Sequence, residues 1–128
     1  MGTSRYCGIV AIVDDDPAVC NSLKFSLEIE GFTVRLYGSG TELLSDHALA
    51  DCSCLVVDEK MPGIAGLDLI AELRDRDVVA PAILITSYLS AWLVRRAAEV
   101  NVPIVEKPLL NDRLLDLVRN ACASGSLD

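Results

Sequence analysis

Short apolar runs alternate along the chain with segments of helical periodicity. Five of these runs are predicted strands, at residues 8–13, 32–37, 54–57, 81–85 and 104–105. Strands that alternate with helices are typical of a parallel sheet, whose two faces are both covered. The pattern therefore predicts an α/β fold with a doubly wound, five-stranded parallel sheet and helices on both faces.

The first predicted helix has clear signals at both ends. Asp16 is expected to cap its start, Pro17 suits the first helical position, and Gly31 ends it. Helical spacing predicts a buried face on this helix. The residues expected on that face are Val19, Leu23 and Leu27, together with Phe25 or Ile29.

Four further helices are predicted. The second is short and is capped by Ser39 or Thr41, and the others cover residues 66–76, 88–100 and 109–123. Asn101 suits a left-handed position at the end of the fourth helix. The apolar residues assigned to the third helix are Leu67, Ile70, Ala71 and Leu73, and those assigned to the fifth are Leu110, Leu114, Leu117 and Val118.

Composition narrows the class of protein. The 128 residues are 52% hydrophobic and 23% charged, which is typical of one globular domain, here residues 1–123 with a tail or linker at 124–128. The formal charge of −8 argues against direct binding of nucleic acid. We interpret the chain as cytoplasmic, with no membrane contact, because it lacks a long apolar span and a signal-peptide pattern. Five cysteines without a CxxC pair and a single histidine give little support for zinc.

Polar side chains follow four of the five predicted strands. Asp14-Asp15-Asp16 follow the first strand, Asp58 the third, Thr86-Ser87 the fourth and Lys107 the fifth. A turn or a helix cap would explain each group singly, and a cap is the better interpretation for Asp16. Ligands of such sheets bind beyond the carboxyl ends of the strands, so the four groups together indicate a site. The acids would repel one another unless a cation or Lys107 offsets them.

The chain resembles the receiver domain of two-component response regulators over essentially its whole length. The Asp-x-x-Met-Pro-x-x-x-Gly pattern at 58–66 is fairly specific, and three other motifs stand in register with it. These three are Ile12-Val13-Asp14-Asp15-Asp16, Ile83-Leu84-Ile85-Thr86-Ser87 and Val105-Glu106-Lys107-Pro108. The resemblance implies a CheY-like, flavodoxin-like sheet with the strand order 2-1-3-4-5.

The resemblance also implies a metal site. Asp15 and Asp58 would bind Mg²⁺ directly, the backbone carbonyl of Lys60 would be a third ligand, and Asp14 would act through water. Mg²⁺ prefers oxygen ligands and usually keeps several waters, so this set suits the ion.

The resemblance also implies which residues would bind and accept a phosphoryl group. The resemblance makes Asp58 the phospho-acceptor, with Thr86 bonding the phosphoryl group, Lys107 pairing with its oxygen, and a cis Lys107-Pro108 bond. Phosphoryl transfer depends mainly on positioning and charge neutralisation, and an aspartate nucleophile yields an acyl phosphate. The chain would then catalyse only its own phosphorylation and dephosphorylation, and would not be an enzyme acting on other substrates.

The implied partners are a sensor histidine kinase or phosphotransfer protein and a downstream target or attached output domain. Phosphorylation would change a surface on the fourth helix, fifth strand and fifth helix, where a homodimer could also form. Ile104 departs from the family, which commonly has Tyr or Phe there, so an aromatic switch is not expected. An exposed Trp92 would mark a contact surface, whereas Leu93 and Val94 are expected to pack on the sheet.

Two alternatives stay open at this stage. A small phosphohydrolase of the haloacid dehalogenase type also uses an aspartate nucleophile, and Asp14-x-Asp16 mimics its Asp pair, although Pro17-Ala18 replaces the usual Gly-Thr sequel. A degenerate receiver that serves only as a binding module is the second. The sequence fits either a stand-alone regulator or a receiver excised from a longer chain.

Overall fold

The structure is a computed structural model that describes residues 8–109 and 112–126. All five strands are parallel, and their order β2-β1-β3-β4-β5 is the one that the resemblance implies. The strands are β1 (Ile9–Val13), β2 (Thr33–Tyr37), β3 (Cys54–Asp58), β4 (Ala82–Thr86) and β5 (Ile104–Glu106). Cys7, Leu110 and the last two residues of the predicted tail lie outside the described residues.

Helices connect the strands and follow the last one. They are α1 (Pro17–Ile29), α2 (Gly40–Leu44), α3 (Gly66–Asp75), α4 (Ala91–Glu99) and α5 (Arg113–Ser126), with a short 3-10 helix at Leu49–Asp51. The described part of the chain contains no helix with the length and apolar character needed to cross a bilayer.

The predicted start of the fourth helix at residue 88 was wrong. α4 begins only at Ala91, because the Ser90 hydroxyl accepts a hydrogen bond from the Leu93 N–H at 3.0 Å and caps the helix there. Asn101 takes the predicted left-handed conformation, with φ of 58°. α5 continues to Ser126, past the predicted helix end at residue 123.

The predicted buried face of α1 was partly wrong. Asp16 caps the helix through its bond from the Ala18 N–H, and Pro17 stands at its start, as expected. Phe25 and Ile29, however, are 68% and 66% exposed. The sheet covers a narrower stripe than the apolar pattern suggested, formed by Cys20, Leu23 and Leu27.

The predicted buried face of α3 was wrong at one position. Leu67, Ile70 and Leu73 are buried as predicted, but Ala71 is exposed and Leu69 is fully buried in its place. A Cβ atom on Gly40 of α2 would lie 3.3 Å from Leu69, which shows how closely the two helices approach. α3 therefore packs on α2 as well as on the sheet.

Side chains of the central strands alternate between two cores. One core lies under α2, α3 and α4 and the other under α1 and α5, which confirms the doubly wound arrangement. β1 and β3 pair with Val13 opposite Val57, so the next residues, Asp14 and Asp58, lie side by side at the carboxyl ends of these strands.

Candidate functional site

Charged groups predicted from three strand ends, those of β1, β3 and β5, meet at one place. The Lys107 ammonium lies 3.0 Å from Asp14 Oδ2 and 3.4 Å from Asp58 Oδ1. Asp14 and Asp58 are buried, and the Lys107 side chain is only 17% exposed. Since β5 lies two strands from β3 and three from β1, the lysine must reach across the edge of the sheet.

Backbone bonds between strands fix the residues at these ends. Asp14 N–H donates to the Tyr37 carbonyl at 3.1 Å, and Lys107 N–H donates to the Thr86 carbonyl at 2.7 Å. Glu59, directly after Asp58, donates to the Ile85 carbonyl at 2.9 Å. The side chains therefore start from a rigid platform rather than from loose loops.

Three carboxylates form a cluster suited to a cation. One oxygen each of Asp14, Asp15 and Asp58 lies within 4.8 Å of the others. Asp14 Oδ1 already accepts from the Asp16 N–H at 2.9 Å, and its other oxygen faces Lys107. Asp15, by contrast, is exposed. Because the donors are all hard oxygens, the set fits Mg²⁺.

Burial and the neighbouring acids outweigh Lys107 in their effect on the pKa of Asp58. Burial, followed by the charges of Asp14 and Asp15, raises the pKa of Asp58 to about 6, despite the opposing effect of the lysine. Burial alone would lower the pKa of Lys107, but its contacts with Asp14 and Asp58 outweigh burial and raise it. The Lys107 ammonium is therefore charged at neutral pH.

Thr86, at the end of β4, is almost fully buried. Its hydroxyl donates to the Tyr88 carbonyl and accepts from the Tyr88 N–H, both at 3.2 Å. Tyr88 itself is exposed, in the loop before α4. The Lys107-Pro108 peptide bond is cis, as the resemblance implies. Thr86 thus connects the site to the start of α4.

Lys60, a predicted metal ligand, and Asp16, a predicted helix cap, belong to the sequence motifs that supply the acidic cluster. Lys60 lies in the turn after β3 with its side chain exposed, and its carbonyl as a metal ligand stays a prediction. Asp16 acts as the α1 cap and is not one of the three clustered acids, which agrees with the cap interpretation.

Sequence reasoning missed two residues beside the site. The Glu59 carboxylate accepts a hydrogen bond from the Leu67 N–H at 2.9 Å, and the buried Cys20 thiol donates to the Asp14 carbonyl at 3.2 Å. Burial, with the charges of Asp14 and Asp16, raises the pKa of Cys20, so this thiol is protonated at neutral pH. Helical periodicity marks Cys20 only as core, and no sequence signal indicates the bond of Glu59.

Around α4, the burial of Leu93 agrees with the sequence prediction, whereas that of Val94 does not. Trp92 is 54% exposed, with the Arg96 guanidinium 5.2 Å from its ring centroid. Leu93 is buried as predicted, but the prediction for Val94 was wrong, because this side chain is exposed. Ile104 is partly buried against the core under α2, α3 and α4.

The chain matches known proteins along almost its full length. The model of the response regulator receiver domain matches residues 10–119. A C4-dicarboxylate transport transcriptional regulatory protein, DctR of Rhodobacter capsulatus, is 32% identical over 90% of the chain and 60% of its own length. The transcriptional regulatory protein FixJ of Azorhizobium caulinodans is 34% identical over 86% of the chain and 53% of its own length. The chain thus spans little more than half of these relatives.

Solved structures share the fold. Full-length FixJ from B. japonicum superposes with a TM-score of 0.81 and 29% identity, covering 94% of this chain and 60% of that one. The chemotaxis protein CheY4 of Vibrio cholerae superposes with a TM-score of 0.81 at 20% identity, over 90% of this chain and 98% of that one. At this lower identity the likeness concerns the fold alone.

Proposed function

Because the chain belongs to the response regulator receiver domain family, we propose that it takes up a phosphoryl group on Asp58. The donor would be the phosphohistidine of a sensor histidine kinase or a phosphotransfer protein. The observation that carries this proposal is the position of Asp58. Its buried carboxylate ends a central strand, 3.4 Å from a lysine ammonium and beside two further acids.

The transfer itself needs few protein groups. An Asp58 oxygen attacks phosphorus and forms the acyl phosphate O–P bond, while the P–N bond of the donor breaks and its electron pair returns to the imidazole. Lys107 would neutralise a phosphoryl oxygen, since its ammonium already lies beside Asp58. Thr86 would donate its hydroxyl to another oxygen.

A divalent cation completes the charge balance. We assign Mg²⁺ to Asp15, Asp58 and the Lys60 carbonyl, with Asp14 contributing through water. When bound, the ion supplies positive charge for the phosphoryl oxygens. The clustering of one oxygen each from Asp14, Asp15 and Asp58 within 4.8 Å supports this assignment.

The role is regulatory. Receiver domains are regulatory modules, and the relatives are transcriptional regulators. We infer that self-phosphorylation and dephosphorylation are the only reactions that this chain catalyses. Movement of Thr86 from Tyr88 to the phosphoryl group would alter the loop before α4 and the surface of α4, β5 and α5. A downstream protein, an output domain in a longer chain or a second copy would read that surface.

A phosphohydrolase of the haloacid dehalogenase type is less well supported. Its Asp pair would require both Asp14 and Asp16 to face the substrate. Asp16 instead uses its carboxylate to cap α1. The proposal therefore keeps Asp58 as the nucleophile.

Intact mass spectrometry tests the proposal. Incubation with acetyl phosphate and Mg²⁺ is expected to add one phosphoryl group to the wild type and none to Asp58→Asn. Absence of labelling with both acetyl phosphate and a phosphorylated kinase would instead support a degenerate receiver. Repeated turnover of an external phosphate ester would support the phosphohydrolase.

A further inference from the structure

Glu59, the residue after Asp58, has three groups hydrogen-bonded to two parts of the molecule, β4 and the first turn of α3. Its N–H donates to the Ile85 carbonyl of β4 at 2.9 Å. Its carbonyl accepts from the Gly66 N–H at 3.0 Å. Its carboxylate accepts from the Leu67 N–H at 2.9 Å. The peptide that carries Asp58 is therefore held between the sheet and the first turn of α3.

The Glu59 carboxylate caps the start of α3, although Glu59 is not the N-cap residue of that helix. The first N–H groups of any helix lack partners within it. Ala65 occupies the N-cap position of α3 and has no side-chain acceptor. Glu59 satisfies Leu67 instead, and Leu67 is buried, so water is a poor substitute for the lost acceptor.

The start of α3 also lies in direct contact with the Asp58 backbone. A Cβ atom at Gly66 would lie 2.6 Å from the Asp58 carbonyl oxygen and 2.9 Å from the Glu59 Cα atom. Real Cβ atoms essentially never approach other atoms so closely. With no space between the two segments, the first turn of α3 cannot move toward β3 without moving the Asp58 peptide.

We propose that Glu59 is a positioning residue, whose carboxylate holds the first turn of α3 against the Asp58 peptide and so orients the Asp58 side chain for a divalent cation. This inference rests on the proposed function. It assigns Glu59 no contact with the ion or the phosphoryl group. Groups that orient a metal ligand typically change metal affinity about 10- to 100-fold when they are lost.

Two substitutions separate the hydrogen bond from the charge. Glu59→Gln keeps an acceptor at the same reach but removes the negative charge. Glu59→Asp keeps the charge but shortens the side chain by one methylene, which withdraws the acceptor from Leu67. A purely electrostatic role predicts the larger effect in Glu59→Gln, and a positioning role predicts it in Glu59→Asp.

Glu42 offers a matched control elsewhere on the chain. Its carboxylate accepts from the Gly38 N–H at 2.6 Å, at the start of α2. Glu42→Ala therefore removes a bond of the same chemical type without touching the turn between β3 and α3. Any loss that it causes in melting temperature reports stability alone.

The experiment is a Mn²⁺ titration followed by electron paramagnetic resonance, with the initial rate of labelling by acetyl phosphate and Mg²⁺ measured in parallel. Both are performed below the melting range of every variant. We expect Glu59→Asp and Glu59→Ala to weaken Mn²⁺ binding about tenfold and to slow labelling. Glu59→Gln and Glu42→Ala should stay within about twofold of the wild type, because the bond to Leu67 persists in both.

Three results would overturn the inference. One is wild-type Mn²⁺ affinity in Glu59→Asp, and another is a larger loss in Glu59→Gln than in Glu59→Asp. The third is an equal loss in Glu42→Ala, which would reduce Glu59 to a general contribution to stability. A wild type that neither binds Mn²⁺ nor becomes labelled would remove the proposed function itself, and this inference with it.

Discussion

The hydroxyl of Thr86 is bonded twice to the backbone of Tyr88, donating to its carbonyl and accepting from its N–H at 3.2 Å. A hydroxyl has a single hydrogen to donate. It cannot serve the Tyr88 carbonyl and a phosphoryl oxygen at the same time. In the proposed function Thr86 moves from Tyr88 to the phosphoryl group, and both of its bonds to the loop before α4 would then be lost.

The first prediction concerns that release. In Thr86→Val, which keeps the shape of the side chain, we expect the Tyr88 amide to exchange hydrogen faster than in the wild type, because its acceptor is lost. The phosphorylated wild type should show the same change. The Leu93 amide, held by Ser90, is the internal control and should keep its protection. Unchanged exchange at Tyr88 in both samples would contradict the proposed movement of Thr86 away from Tyr88.

The second prediction concerns metal binding. A ligand that binds only the folded chain stabilises it, by about 1.4 kcal/mol when its concentration is ten times the dissociation constant. Millimolar Mg²⁺ should therefore raise the melting temperature of the wild type, and this rise should disappear in Asp58→Asn. Asp51→Asn, at an exposed acid outside the clustered three, should keep the rise. A wild-type melting temperature that ignores Mg²⁺ would refute the metal assignment.

The third prediction concerns Lys107. Removing one partner of a buried ion pair leaves an uncompensated charge, so Lys107→Met should lower the free energy of unfolding by about 3 kcal/mol in the absence of divalent cations. Urea titration measures this change. Glu72→Ala breaks the exposed Arg76 pair and is expected to cost below about 1 kcal/mol. Equal effects of the two substitutions would mean that the Lys107 pairs are as screened as a surface pair.

The fourth prediction concerns pH and the contact between Tyr37 and Asp46. The hydrogen bond from Tyr37 is the main reason that the pKa of Asp46 is lowered, while burial and this bond raise the pKa of Tyr37 to about 12. A lowered carboxyl pKa gives stability that is present above the unfolded pKa of about 4 and is lost below it. Tyr37→Phe should therefore melt earlier than the wild type at pH 7.

The difference between Tyr37→Phe and the wild type should shrink as the pH falls through the folded pKa of Asp46. Thermal melts between pH 7 and the lowest pH at which both chains stay folded measure it. Asp46→Asn is the companion variant, since it removes the titrating group and should abolish the pH dependence of the difference. A difference that is constant across this range would show that Tyr37 acts through packing alone.

Some features of the site follow from local sequence. Parallel strands end at one edge of their sheet, so the polar residues at the ends of β1, β3, β4 and β5 were expected near that edge. The Asp14 and Asp58 carboxylates accordingly lie within 3.4 Å of the Lys107 ammonium. The Asp16 cap and the left-handed Asn101 depend only on neighbouring residues, and both are present.

Other features could not be predicted from the pattern. Periodicity gives an apolar stripe but not the width that a sheet covers, which is why Phe25 and Ile29 are exposed. Leu69 is buried because α2 lies against α3, a contact between elements that are distant along the chain. Glu59 and Leu67 are eight residues apart, and nothing local indicates that their groups will bond.

The sequence by itself determined the class of fold and the kinds of group at the edge of the sheet. Both depend on local features: the alternation of strand and helix patterns, and the residue types at the end of each strand. Tertiary structure decided which acids are buried against Lys107, which groups bond to the Thr86 hydroxyl and which residue caps α3. Each of these depends on distances of a few ångströms between separate elements, and such distances exist only once the elements have packed.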